Sequence, residues 1–226
     1  MNRPPDVQTP RDESFVPALR FHALTRVYDE VLALILAEER HKRALIEQAA
    51  ISQGHEVLDL GCGTGTLTAM IKASHPDAQV TGLDLDPEAL TIARLKAASR
   101  GLELSFVRGS AMAPPLDPGG FDRVLSSLMF HHLVREQKRR ALRAAFVLLR
   151  PGGQLHVLDW GRPHDRLMAL AFLPVRVLDG LAPTRDNVRG ELPALVREAG
   201  FTDVVEASRS RTLLGTLAQL RATRPG

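Results

Sequence analysis

One cysteine, one tryptophan and one tyrosine are present in 226 residues. The lone Cys62 cannot close an internal disulfide, which leaves the redox compartment unconstrained and fits a cytoplasmic location. Aromatic residues make up only 4% of the chain, too few for a surface on which single-stranded bases could stack. The formal charge of +3 is mild, and its basic side chains are scattered, so no nucleic-acid partner is expected. The apolar runs Val31 to Ala37 and Leu167 to Val175 fall far short of the roughly 20 residues a membrane span needs. No transmembrane segment is expected, nor does a basic start, apolar stretch and small-residue cleavage site mark a signal peptide. What is there, 44% hydrophobic residues without repeats or low-complexity blocks, suits one α/β domain with a sizeable core.

That domain is organised around Val57-Leu58-Asp59-Leu60-Gly61-Cys62-Gly63-Thr64-Gly65-Thr66-Leu67. An apolar, β-favouring run ends in glycines at alternate positions, and a helix-compatible stretch follows. Glycine there tolerates positive φ and keeps no Cβ between backbone and ligand. Free N–H groups at such a helix N-terminus face something polar. Further on, Gln79 to Asp84 reads as a second strand ending in an acid. A glycine turn after the first strand and an acid ending the second form a nucleoside-binding βαβ pattern, the carboxylate taking ribose hydroxyls. The dinucleotide version needs a third glycine in G-x-G-x-x-G, and Thr66 stands in its place.

The segment Asp59-Leu60-Gly61-Cys62-Gly63-Thr64-Gly65, with Gly82-Leu83-Asp84 after it, resembles the first motifs of class I S-adenosylmethionine-dependent methyltransferases. Leu149-Arg150-Pro151-Gly152-Gly153 before an apolar strand resembles the same family. The resemblance covers roughly residues 20–220. It implies an α/β, Rossmann-like seven-stranded sheet with N-terminal helices, a cap insertion and an antiparallel closing strand. S-adenosylmethionine is the implied cofactor, and methyl transfer to a small, mostly apolar metabolite the implied function. The small-molecule, quinone-methyltransferase-like branch shares the layout, although its asparagine-containing loop after the fourth strand is absent. Arsenite methyltransferases need several cysteines, and DNA amino-methyltransferases need an Asp/Asn-Pro-Pro-aromatic stretch that Ser126-Ser127-Leu128-Met129 does not provide.

Taken in order, residues 1–18 read as a mobile arm with four prolines, 19–220 as a single domain, and 221–226 as a frayed tail. Within the domain, 19–53 holds N-terminal helices, the first with an apolar face from Leu24 to Leu36 and the second over Arg40 to Ala50. Asp86, Pro87 and Glu88 announce a helix that ends near Gly101. Strands are expected at Leu102 to Val107, Phe121 to Ser126 and Gln154 to Leu158, with a basic amphipathic helix over Arg135 to Leu149. Residues 162–188 break the alternation with a nearly all-round apolar helix from Leu167, the expected cap insertion. A helix from Glu191 to Ala199 and strands at Asp203 to Ala207 and Thr212 to Leu220 close the domain.

In such sheets ligands lie at the carboxyl ends of the strands. The resemblance implies that Asp59, Gly61, Gly63 and Gly65 hold the methionine end of the donor and Asp84 the ribose. Leu85 and Ala111 would flank the adenine, with Ser126 at the end of the fourth strand. Ser110 stands where the family commonly has an acid for the adenine amino group, and a hydroxyl can still accept that bond. His132 and His131 are the candidate bases, since imidazole titrates near neutral pH. Tyr28, Trp160 and His164 are candidate substrate contacts. No metal is expected: two histidines completed by Asp159 lack ligand spacing on one element. The partner is a small-molecule acceptor, and a homodimer is compatible with the apolar insertion. The alternative is a non-catalytic S-adenosylmethionine-binding or regulatory protein on the same fold, favoured only by Ser110.

Overall fold

The computed structural model describes residues 38–226; Tyr28, the expected first helix and the N-terminal arm lie outside the described residues. The chain begins with α1 (Glu38–Ala49) and alternates through β1 (Glu56–Leu60), α2 (Thr66–Ser74), β2 (Gln79–Asp84), α3 (Pro87–Ser99), β3 (Ser105–Arg108) and β4 (Phe121–Ser127). A 3-10 turn, Phe130–His132, leads into α4 (Arg135–Leu148) and β5 (Leu149–Trp160). Three short helices follow, α5 (Arg166–Ala171), α6 (Leu173–Asp179) and α7 (Leu181–Arg189). Then come α8 (Leu192–Glu198), β6 (Thr202–Thr212) and β7 (Gly215–Thr223).

The strands form one seven-stranded sheet in the order β3-β2-β1-β4-β5-β7-β6. The pairs from β3 through β5 are parallel, and β7 runs antiparallel between β5 and β6. This is the Rossmann-like sheet the resemblance implied. Burial on both faces explains why Val57, Leu58 and Leu60 of β1 are all apolar. Its Leu58 and Leu60 join a core with Leu142, Leu148 and Leu195 from α4 and α8. Val57 points the other way, into a core with Leu45 of α1, Ile71 of α2 and Phe172 of the insertion. The start of α3 behaves as its residues suggest: Asp86 Oδ1 accepts from the Glu88 and Ala89 amides at 2.8 and 3.4 Å, and Pro87 needs no partner there.

Three expectations need correction. Residues 221–226 are not a frayed tail. β7 continues to Thr223, Arg224 exchanges backbone bonds of 2.8 Å with Gly152 and Gly153, and its guanidinium lies 5.0 Å over the Phe146 ring. Residues 150–153, expected as a loop before the fifth strand, fall inside β5 as an irregularity: Leu149 pairs with Phe121, and regular pairing resumes at Gln154 with Arg123. The insertion is three helices, and its last, α7, is polar. Thr184, Asp186 and Asn187 are all buried there. Asp186 receives Lys138 Nζ at 3.2 Å, and Asn187 Nδ2 donates to the Trp160 carbonyl at 2.9 Å. Polar bonds therefore clamp α7 to the sheet, while Met168, Phe172 and Val175 anchor α5 and α6 by burial. No described helix is long and apolar enough to cross a membrane.

Candidate active site

The strand order reverses at β1, whose neighbours β2 and β4 lead away in opposite directions, and the carboxyl ends there form the crevice where such sheets bind ligands. The glycine turn sits in it. Gly61, Gly63 and Gly65 have φ of +74°, +52° and +74°, values that side chains with a Cβ rarely adopt. The turn is tied to β2 by the Gly61 and Cys62 amides, which donate to the Leu83 carbonyl at 2.8 and 3.0 Å. The glycines then divide by surroundings. A Cβ on Gly61 would overlap Cγ of Met129 and lie 2.9 Å from its Cβ; on Gly65 it would lie 2.8 Å from that of Ala93. On Gly63 it would meet nothing within 4 Å. Gly63 is thus the one member of the turn whose backbone faces open space, a cradle that a side chain would fill and that suits a bound S-adenosylmethionine.

Asp84 closes the other side. Its Oδ2 accepts from the Gly63 amide at 2.7 Å and its Oδ1 from the Asp86 amide at 2.9 Å. Burial raises its carboxyl above the ordinary range, and the Asp86 and Gly63 amides oppose that rise. Asp59, 1% exposed, is pushed up to about 6 by burial, countered by the Thr68 hydroxyl that donates to it at 2.6 Å. It is the buried post under the turn rather than an exposed carboxylate. Leu85, Ser110 and Ala111 are half-buried at the adjacent ends of β2 and β3. The Ser110 hydroxyl oxygen accepts from the Met112 amide at 3.2 Å. Ser126 differs from expectation: it is fully buried and its hydroxyl donates to the Leu60 carbonyl at 2.9 Å, joining β4 to β1. Burial raises the Cys62 thiol far above its usual range, which removes it as a nucleophile.

The two histidines part company. After β4, Leu128 takes the left-handed conformation at φ +56°, rare for an apolar side chain, and its amide donates to the Leu158 carbonyl at 2.8 Å. That bend delivers Met129 to Gly61 and starts the 3-10 turn. His131 is buried, with Nδ1 2.8 Å from Asp159 Oδ1. Asp159 also accepts from the Trp160 amide at 2.7 Å and Asn187 Nδ2 at 3.2 Å, so His131 Nδ1 carries the proton of that bond. His132 keeps a third of its side chain exposed. Enclosure by the protein, helped by the neighbouring His131 ring, lowers its imidazole well below the ordinary range. Asp179, from the end of α6, faces both rings at 3.6 Å, and burial raises its carboxyl.

Trp160 is 3% exposed and packs on Phe172 with ring centroids 4.9 Å apart, beneath the insertion. His164 lies beside β7, its Nδ1 3.0 Å from Thr216 Oγ1. Sequence reasoning missed Asp179, which nothing in an apolar run of Leu173 to Leu178 singles out. It also missed Met129 as the wall against Gly61, and buried Lys42, whose charge opposes the rise of the Asp59 carboxyl.

Comparison with known proteins agrees with this geometry. A family described as a methyltransferase domain matches residues 57–153. A demethylmenaquinone methyltransferase of Thermus thermophilus is 37% identical over 136 residues, 60% of this chain and 61% of that protein. An uncharacterized methyltransferase of Synechocystis is 33% identical over 170 residues, 74% of this chain and 76% of that protein. The chain thus spans about three fifths of the length of the first relative and three quarters of the second. Among solved structures, the S-adenosylmethionine-dependent methyltransferase SibL superposes with a TM-score of 0.71 at 26% identity, covering 91% of this chain and 60% of SibL. With the sheet order, the glycine turn and Asp84 in place, the chain belongs to the class I S-adenosylmethionine-dependent methyltransferases.

Proposed function

We propose that the chain transfers the methyl group of S-adenosylmethionine to a small, mostly apolar metabolite of the quinone type. The observation that carries the donor half is the open face of Gly63 beside the Asp84 carboxylate. When bound, S-adenosylmethionine supplies an electrophilic methyl on a sulfonium, and the protein's work is to hold it near an acceptor. In this reading the turn from Gly61 to Gly65, braced from below by Asp59, takes the methionine end. Asp84 takes ribose hydroxyls, Leu85 and Ala111 flank the adenine, and Ser110 accepts from its amino group. The acceptor half rests on the insertion, where Leu170, Val177 and Leu178 are 62%, 77% and 74% exposed. Three large aliphatic side chains turned outward on adjacent short helices suit an apolar acceptor entering beside the histidine turn. The Thermus relative, named for demethylmenaquinone, supports an acceptor of that kind.

His132 is the proposed base: neutral at neutral pH, partly exposed and next to the crevice. His131, bound to Asp159, is its positioning neighbour. The test is methyl transfer from labelled S-adenosylmethionine to a panel of quinols and other apolar phenols. Turnover should fall about 10²–10⁴-fold in His132→Ala with donor affinity unchanged, the usual range for loss of a general base. Absence of affinity for both S-adenosylmethionine and its demethylated product would end the reading. The second reading is a non-catalytic binding protein, favoured by Ser110 standing where the family commonly has an acid. Tight donor binding with no turnover on any acceptor would decide for it.

A further inference from the structure

The histidine turn and the end of α6 assemble a second arrangement that the transfer reading does not require. Asp159 accepts the His131 amide, the Trp160 amide and Asn187 Nδ2, so His131 Nδ1 donates toward it and the ring presents Nε2 on its other side. His131 Nε2 faces Asp179 Oδ2 at 3.6 Å, and His132 Nδ1 faces Asp179 Oδ1 at 3.6 Å. Both separations exceed hydrogen-bond range. Three atoms able to ligate a metal therefore converge from the histidine turn and the end of α6. Lys138 Nζ is turned elsewhere, to the Pro183 carbonyl at 2.6 Å and Asp186 at 3.2 Å. Meanwhile Asp159 and Asp179 are 1% and 6% exposed at their side chains, so two carboxylates flank one imidazole out of water.

We propose that His131 Nε2, His132 Nδ1 and the Asp179 carboxylate form a site for a divalent ion of the Zn²⁺ class, with a fourth position open. This replaces the sequence-based expectation of no metal. Two imidazoles and one carboxylate are a three-ligand set for zinc, and ligand atoms on a four-coordinate zinc lie about 3.3 Å apart. The two 3.6 Å separations are close to that. All three donor atoms lie within 4.8 Å of one another, looser than a filled shell, and the partly exposed His132 ring is the ligand with room to close it. The carboxylate behind His131 is the outer partner that metal-bound imidazoles commonly have, fixing tautomer and ring orientation. Because the ligands come from the turn after β4 and from the insertion, the ion would also pin α6 to the sheet. It would occupy the imidazole proposed as the base, so it would inhibit transfer; this last step rests on the proposed function, whereas the binding does not.

The full-length chain, purified with a chelator and then freed of it, would be titrated with Zn²⁺ by calorimetry and with Co²⁺ by visible absorption. One ion per chain and the absorption of four-coordinate cobalt are expected. His132→Ala should weaken zinc binding by roughly tenfold or more, and Asp179→Asn by a similar factor. His132→Ala, at a partly exposed position, covers the case in which Asp179→Asn fails to fold. No stoichiometric binding, or binding indifferent to both substitutions, overturns the site and leaves the base untouched. Binding without inhibition of methyl transfer overturns the link to His132, and with it His132 as the base.

Discussion

Replacing Asp84 by asparagine tests the donor half of the site most directly. The wild-type carboxylate accepts the Gly63 amide at 2.7 Å and the Asp86 amide at 2.9 Å. Asparagine keeps one acceptor oxygen and turns an amino group toward the other amide, so one charge-assisted bond is lost and two donors face each other. Such a bond is worth about 1.5–3 kcal/mol. Part of that is returned in the free protein, because burial already disfavours the charge that asparagine removes. A net loss of about 1 kcal/mol in stability, or roughly 2–4 °C in melting temperature, is expected. The donor suffers more. If Asp84 also takes ribose hydroxyls, the second loss of about 1.5–3 kcal/mol falls on binding alone and weakens it roughly 10–150-fold. Calorimetry with S-adenosylhomocysteine and a thermal melt separate the two effects. The pH dependence adds a sign: protonating the raised carboxyl removes the acceptor, so wild-type affinity should fall as pH drops through the mildly acidic range, and Asp84→Asn should show no such fall. A folded variant that binds as tightly as wild type, with the same pH profile, would refute the ribose role.

Gly61→Ala and Gly63→Ala should fail differently. The first forces a Cβ into Met129 and should cost about 1–3 kcal/mol in a denaturant melt, partly restored by Met129→Ala. The second meets open space, and after a strain of about 1 kcal/mol its main effect should be on donor affinity. Equal effects of both on stability and binding would contradict the division of the turn. His156 is fully buried, and burial with the charges of Arg123 and Arg221 lowers its imidazole from 6.5 to about 3. The unfolded chain therefore takes up a proton below pH 6.5 that the native state refuses, and stability is lost as pH falls through that window, by about 2 kcal/mol at pH 5. Asp59 has the opposite sign: raised from 3.8 to about 6, it takes up a proton in the native state first, so stability rises as pH falls from 6 toward 4. Wild type should show a shallow profile in urea melts over pH 4–6, and His156→Leu should become more stable on acidification. A flat profile in the variant would show that Asp59 does not titrate there.

The glycine turn proposed to hold the donor was legible because it is made of backbone. Gly61, Gly63 and Gly65 each require positive φ, and a requirement of that kind leaves its mark in the residue type at the position itself. Asp84 follows from the same logic, since an acid ending β2 must lie beside the turn once β1 and β2 pair in register from Glu56 and Gln79. The cap of α3 was equally local, written in Asp86-Pro87. Ser126 was misread because its position at the end of β4 says nothing about which way the hydroxyl points, and it points to Leu60. Trp160 is equally unmarked: a lone tryptophan at a strand end reads the same whether it lines a pocket or supports Phe172.

The side proposed for the acceptor is a different kind of construction, and this is why the motif could not reach it. Its polar groups are joined by side chains from distant parts of the chain: His131 to Asp159, 28 residues away, and Asn187 back to the same carboxylate. None of these bonds demands an unusual backbone or a residue type that another role would not also accept. A histidine pair after β4 fits a helix cap, a base or a ligand set equally well until Asp179 is seen against it. The insertion hides its architecture further, because burial of only Met168, Phe172 and Val175 holds α5 and α6, and the remaining aliphatic side chains face outward. What α5 and α6 do is therefore decided by what they carry to the histidines rather than by their own hydrophobic pattern. Asp179 is that cargo: it is the last residue of α6, one before the Gly180 bend, and a shift of this helix moves its carboxylate relative to both rings. A sequence variant that changed only the length of α6 would keep the fold, the glycine turn and Asp84, and would lose the geometry that distinguishes this acceptor side.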